Sequence, residues 1–357
     1  PLLVHLCRRK KNTHSPSMKY KLIYCILFGL IISIAGADKD YEYACVGNCD
    51  NWADPKIEGN GGILLAGGGG DVDHAMTVFT EWANQGDIVV LRASGTDAYN
   101  SYLYNLSNQT VNSVSTFILH SRKACSDEFL LDRVRHANAI FWAGGNQFLY
   151  YSYAKHTPLE DAMMETILKR NCAYGGTSAG CAIASQYIYS GEFKSVTSQQ
   201  ALYDPYTPDV AIGTNFISIP LLKDVITDTH YSARDRAGRS MTFSARLIRD
   251  IWTENPLVVA VNERSAVMIQ PDGKAYISTS NSEQGGAYFM TPSEAEPKVC
   301  EPDEYLEYSV DVWKASNNTG FVYDFSTRQA IEDGKNTIGY VLTASKGKVK
   351  SSNGNVY

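Results

Sequence analysis

Short runs of consecutive apolar residues recur along this chain, each closed by glycine or a small polar loop and followed by an amphipathic stretch. "GGILLAGGGGD" is an apolar run that stops at Gly67–Gly70 and leads into helical spacing over His74–Asn84. "DIVVLRASGTD" holds a second strand at Ile88–Leu91, "STFILH" is a third, and "NAIFWAGGNQ" is a fourth that ends in Gly144-Gly145 before a helix to about Tyr153. Leu159–Lys169 reads as another helix, and "CAYGGTSAG" as a fifth strand running into a helix from about Ala179. Strands that are apolar throughout have both faces buried. With helices between them they predict a mostly parallel α/β sheet covered on two sides. Farther on, "LEYSVDVW" and "GFVYDF" alternate instead, predicting a small β-rich extension.

Polarity marks the other boundaries. Residues 1–17 are basic and irregular; from Met18, Lys19 and Lys21 precede the apolar run Leu22–Ile34 and the small residues Ala35-Gly36-Ala37. That is the layout of a signal peptide over 18–37, preceded by an upstream extension, and the run is short for a membrane span of roughly 20 residues. The expected organisation is 1–37 as extension and leader, 38–60 as a Cys-containing arm, 61–290 as the catalytic α/β domain, and 291–357 as the C-terminal extension. The expected location is secreted or in the secretory lumen, with no membrane association once the leader is gone. The sequons at Asn105, Asn108 and Asn317 agree with export.

The net charge of −6 and the lack of a basic block in the body argue against a nucleic-acid partner. Loss of the leader removes Cys7 and Cys25, leaving Cys45, Cys49, Cys125, Cys172, Cys181 and Cys300; the sequence does not choose their pairing, though Cys45 and Cys49 are close enough to bond. No His lies beside that pair, so a zinc site is not expected, and neither metal nor organic cofactor is called for. A homodimer is left open.

Three glycine clusters, at Gly67–Gly70, at Gly144-Gly145 and around Ser178, follow strands, and in an open parallel sheet such loops gather at the carboxyl edge, where ligands bind. The first of them lacks the pattern of a phosphate loop. Gly176-Thr177-Ser178-Ala179-Gly180 satisfies G-x-S-x-G. A nucleophile on a tight strand-to-helix turn needs small neighbours, and Ser178 is the candidate, with the N–H of Ala179 facing the developing oxyanion. Of seven histidines only His230 follows it, in "VITDTHYSARDRAGR". The acid that orients the imidazole is left open between Glu192, Asp204, Asp209, Asp224 and Asp228, with Glu192 and Asp228 the better placed.

At these residues the chain resembles the cyanophycinase and aspartyl dipeptidase group of serine peptidases, over about residues 61–277. The motifs are "LLAGGGGD", "FWAGGNQ", "YGGTSAGCA", "DTHYSARDRAGR" and "VAVNERSAVMI". The resemblance implies a flavodoxin-like sheet related to class I glutamine amidotransferases. It implies Ser178 as nucleophile, His230 as base and Glu192 as acid, with Gly69 and Ala179 giving the oxyanion N–H groups. Gln147 is implied to line the substrate site, and Arg234, Arg236 and Arg239 to hold an aspartyl carboxylate, a task suited to a planar guanidinium. One or two of these arginines are expected to be structural. The implied activity is a secreted exopeptidase acting through an acyl-enzyme on aspartyl peptide or isopeptide bonds of the β-Asp-Arg/Lys type. The alternatives are an α-aspartyl dipeptidase, a catalytically silent binding protein on the same fold, and an α/β-hydrolase esterase. The last is disfavoured because no His follows His230.

Overall fold

The structure is a computed structural model that describes residues 39–53, 56, 58–281, 284–316, 320–331 and 337–357. The leader and the sequon at Asn317 lie outside the described residues. In chain order the strands begin with β1 (Tyr41–Gly47), β2 (Ile63–Ala66), β3 (Asp87–Arg92), β4 (Ser113–Leu119), β5 (Ala139–Trp142) and β6 (Ala173–Thr177). Then come β7 (Tyr187–Tyr189), β8 (Ile212–Thr214), β9 (Val225–Asp228), β10 (Leu257–Val261), β11 (Ser265–Ile269) and β12 (Lys274–Thr279). The last are β13 (Ala287–Pro292), β14 (Tyr308–Ala315), β15 (Tyr323–Asp324), β16 (Gln329–Ala330), β17 (Thr337–Ser345) and β18 (Lys348–Ser351). The α-helices are α1 (Asp73–Trp82), α2 (Ala98–Leu106), α3 (Glu128–His136), α4 (Gln147–Ala154), α5 (Pro158–Lys169), α6 (Ala179–Ala182), α7 (Ser198–Tyr203) and α8 (Ala237–Arg249).

The five apolar runs form the parallel set β4-β3-β5-β6-β2. Alternate residues of these strands enter different cores. Leu64, Ala66, Ile88 and Val90 pack with Met76 and Phe79 of α1 and Leu103 of α2. Leu65, Val89 and Leu91 pack with Leu130 of α3 and Met163 of α5. Both faces are thereby covered, which is why these strands read as continuous apolar runs. The α/β class is as the pattern predicts, but the sheet does not stop there. β1 joins the β4 edge antiparallel, and β11 and β12 join the β2 edge antiparallel. The arm that carries β1 closes on itself through a Cys45–Cys49 disulfide, while Cys125, Cys172, Cys181 and Cys300 are buried free thiols.

A second sheet, ordered β18-β17-β14-β13-β10-β9-β7-β8, is parallel only at β10-β9-β7. The residues after 291 are divided between the sheets: β14, β17 and β18 extend the second, and β15 and β16 extend the first. Their alternating pattern matches a strand with one face on a core, as in β14, where Tyr308, Val310 and Val312 are buried and Ser309 and Asp311 are not. The chain crosses between the sheets twice near the site. It passes from β6 through α6 to β7, and from β10 through Asn262-Glu263-Arg264 to β11. Among the described residues no helix is long and apolar enough to cross a membrane.

Candidate active site

Ser178 stands between β6 and α6 with φ +53° and ψ −111°, a conformation that L-residues rarely adopt. Its own backbone holds it there: Ser178 N–H donates to Ala66 C=O at 2.9 Å, and its C=O accepts from Ala182 N–H at 2.9 Å. The two glycines of the pentapeptide have the expected reason. A Cβ on Gly176 would run into the Gly180 backbone, and one on Gly180 would run into the Trp142 carbonyl. The helix expected after Ala179 is a single turn, ending at Ala182. Cys181, three residues past the serine, is fully buried, and that burial pushes its thiol up, out of reach of nucleophilic use.

The imidazole arrives from the second sheet. β9 ends at Asp228, and His230 follows with φ +48°, its N–H donating to Gly67 C=O at 2.9 Å. Its Nε2 lies 2.8 Å from Ser178 Oγ. Its Nδ1 lies 2.6 Å from Oε1 of Glu263, in the segment that leaves β10 for β11. β9 and β10 are parallel neighbours, Asp228 facing Ala260. The first turn beyond each strand therefore comes out side by side, and the histidine and the glutamate meet. Burial lowers the His230 pKa below the ordinary imidazole value. Glu263 pulls it back up, and the positive charges of Arg234 and Arg236 push it down further. The neutral, proton-accepting ring is thus the favoured form near neutrality.

This corrects the expectation about the acid. Glu192 is exposed, in a turn where its N–H donates to Ser190 Oγ at 3.3 Å, and Nδ1 of His230 is taken by Glu263. Asp228 is 2% exposed and fully committed elsewhere: to Arg239 through two nitrogens at 2.9 and 2.5 Å and to Ser240 Oγ at 2.7 Å. Burial would raise its carboxyl, but Arg239 and Arg236 more than offset this and hold it below the usual carboxylate range. Glu263 lies beyond His230 in the chain, outside the Ser178–His230 interval in which the acid was expected. The available cue was "VAVNERSAVMI", an apolar run ending at an acid, placed like the runs that end at Ser178 and His230.

The first glycine loop packs on all three side chains. A Cβ on Gly68 (φ +86°) would come within 2.5 Å of His230 Cε1 and 2.9 Å of Ser178 Cβ, and one on Gly69 (φ +72°) within 2.7 Å of Glu263. Gly144, after β5, faces Ser178 Cβ at 3.6 Å by the same measure. The loops after β2, β5 and β6 therefore do gather at one place. Neither Gly69 N–H nor Ala179 N–H is engaged by an acceptor among the described residues, so both are available as donors. Asp71, on this loop, accepts from Tyr99 Oη at 2.8 Å, while burial raises its carboxyl.

The three arginines separate by environment. Arg239 is the structural one, gripping Asp228 with its guanidinium over the Tyr189 ring at 4.7 Å. Arg236 is mostly buried, donates to Thr229 C=O at 2.7 Å and pairs with Asp228 at 3.5 Å, so it too is engaged within the protein; burial lowers its pKa to about 10. Arg234 is exposed, and its charge reaches His230. Gln147 begins α4 and touches the turn at Gly191, where a Cβ would lie 2.9 Å from its amide nitrogen. Gln147 is therefore next to the turn that carries Glu192. Among the described residues no group of His, Cys, Asp and Glu is arranged to hold a metal.

The α/β fold and the serine on its strand-to-helix elbow define a class of protein, the serine-type peptidases, and the family comparison agrees with that class. The sequence pattern of Peptidase family S51 matches residues 63–277, more than half the chain, and the chain belongs to that family. Among relatives, a cyanophycinase of Synechococcus elongatus is 26% identical over 164 residues, 46% of each chain. A cyanophycinase of Trichormus variabilis is 19% identical over 219 residues, 59% of this chain and 68% of its own. The chain thus spans about half the length of the first of these relatives. A solved peptidase from an acI-B1 actinobacterium superposes with a TM-score of 0.47 at 10% identity, over 65% of this chain and 91% of its own. The resemblance to the cyanophycinase group read from the motifs is borne out.

Proposed function

We propose that this chain is a serine-type exopeptidase that cleaves aspartyl peptide or isopeptide bonds, with β-Asp-Arg or β-Asp-Lys as its substrate class. The observation that carries the reading is the continuous pair of contacts Ser178–His230–Glu263, at 2.8 and 2.6 Å. His230 Nε2 takes the Ser178 proton as Oγ bonds to the aspartyl carbonyl carbon. Ala179 and Gly69 N–H groups hold the resulting oxyanion, each good donor contributing about 3–4 kcal/mol. His230 then gives the proton to the leaving amine, the C–N bond breaks, and an ester of Ser178 remains. Water repeats the sequence and frees the acid. Arg234, the exposed arginine, holds the aspartyl α-carboxylate, and Gln147 lines the substrate site. The name borne by the relatives supports the β-aspartyl choice over an α-aspartyl dipeptide. Incubation with β-Asp-Arg, β-Asp-Lys and Asp-Xaa dipeptides, with products identified by mass spectrometry, tests it. The β-linked pair is expected to be cleaved. Cleavage of Asp-Xaa alone moves the assignment to an α-aspartyl dipeptidase, and cleavage of none moves it to a binding protein.

Secretion is part of the same proposal. Its support is the leader-like sequence over 18–37, the Cys45–Cys49 disulfide and the exposure of Asn105 and Asn108 on and just after α2. Protein recovered from the medium of a secreting eukaryotic host is expected to gain mobility on a gel after N-glycosidase treatment. Retention of all the protein inside the cells counts against export.

A further inference from the structure

The loop that delivers His230 continues through Arg234, Asp235 and Arg236, so a carboxylate directly follows the guanidinium assigned to the substrate, while Arg236 is engaged by Asp228. An aspartate there is a competitor: swung toward Arg234, it would occupy the charge that the substrate carboxylate needs. It does not do so. Asp235 Oδ1 accepts a hydrogen bond from Tyr357 Oη at 2.6 Å, and no arginine pairs with it among the described residues. The same hydroxyl accepts from Ala237 N–H at 3.1 Å at the start of α8. The Tyr357 ring meets Tyr231, the neighbour of His230, edge-on at 5.1 Å and Tyr288 at 6.5 Å. Its approach is fixed one residue earlier, where Tyr340 Oη donates to Val356 C=O at 2.9 Å. Burial and the Asp235 contact both push the Tyr357 phenol up, so the hydroxyl keeps its proton and remains a donor.

From this geometry we infer that Tyr357 is a positioning residue for substrate recognition: its hydroxyl holds the Asp235 carboxylate away from Arg234, the exposed arginine of this loop, and so leaves that guanidinium free for the substrate carboxylate. Asp235 has φ +48°, an uncommon conformation for a side-chain-bearing residue, which persists because surrounding contacts impose it. Those contacts come from two directions: Ser198 Oγ donates to Asp235 C=O at 2.5 Å, and Tyr357 takes the side chain. Residue 357 lies well outside the stretch matched by the family pattern, so this gives a functional role to the strands after 291. Of these, β14, β17 and β18 extend the second sheet, and beyond them the chain returns to the loop that carries His230.

The inference rests on the reading that Arg234 binds a substrate carboxylate, and the experiment separates the two. The probe is β-Asp-Arg dipeptide, titrated calorimetrically into full-length Ser178→Ala protein, which binds without turnover. Adding Tyr357→Phe keeps the ring and its packing and removes only the hydroxyl; it is expected to weaken binding roughly tenfold. Adding Asp235→Asn to that variant removes the competing charge and is expected to restore the affinity to within about twofold of the parent. A purely structural part for the hydroxyl, as acceptor for Ala237 N–H, gives weakening that Asp235→Asn leaves in place, and that result overturns the inference. Equal binding by the parent and the Tyr357→Phe variant overturns it too. Absence of binding by the parent overturns the substrate reading and this inference together, and is recognisable as such because it precedes any change at Tyr357.

Discussion

Ser178→Ala is expected to reduce kcat by roughly 10^5–10^6 on whichever dipeptide the native protein cleaves, with the fold and dipeptide binding retained. The loss is large because no other group takes over as nucleophile: Cys181, the nearest alternative in sequence, is buried with its thiol pushed up. The fold survives because the elbow is built by the backbone. Ser178 N–H to Ala66, Ala182 N–H to the Ser178 carbonyl, and the glycines at 176 and 180 are unaffected by removal of Oγ. Alanine meets the same steric cost at φ +53° that serine already bears. Steady-state rates, together with labelling by a serine-reactive fluorophosphonate, provide the check. Full turnover by the variant would remove the serine from the mechanism.

Glu263→Gln is expected to lower kcat by roughly 10^3–10^4 while leaving KM nearly unchanged, whereas Glu192→Gln is expected to have a far smaller effect. The glutamate holds His230 Nδ1 and stabilises the imidazolium that forms when Nε2 takes the serine proton. An amide keeps the shape and loses the charge. The pH dependence gives a second readout. His230 must be neutral to act, so kcat/KM rises as pH passes upward through its pKa. Burial places that limb below the ordinary value of 6.5, and Glu263 moderates the depression. Removing the carboxylate therefore moves the acid limb to still lower pH. A limb that moves upward, or a Glu192 variant that loses as much activity as the Glu263 variant, would restore Glu192 as the acid.

The apolar runs at Ile63–Ala66, Ile88–Leu91 and Ala139–Trp142 place three of the parallel strands, and the glycines after the first and third mark loops that surround Ser178. These features are local: a buried strand needs apolar residues along its whole length, and a nucleophile elbow needs small residues at fixed offsets, so composition over a few positions carries both. His230 was legible by elimination, being the last histidine in the chain.

What only the tertiary structure decided was contact between residues far apart in sequence. Glu263 meets His230 because β9 and β10 are parallel neighbours whose ends lie side by side, and that pairing is a matter of sheet order, which no local pattern records. In the same way Asp228, close to His230 in sequence, is claimed by Arg239 and Ser240 across α8, and Asp235 is held by Tyr357. Spacing along a chain fixes which residues share a turn. Which carboxylate reaches which cation or ring is settled by how the two sheets close on each other, since a charge interaction depends on separation in space and burial.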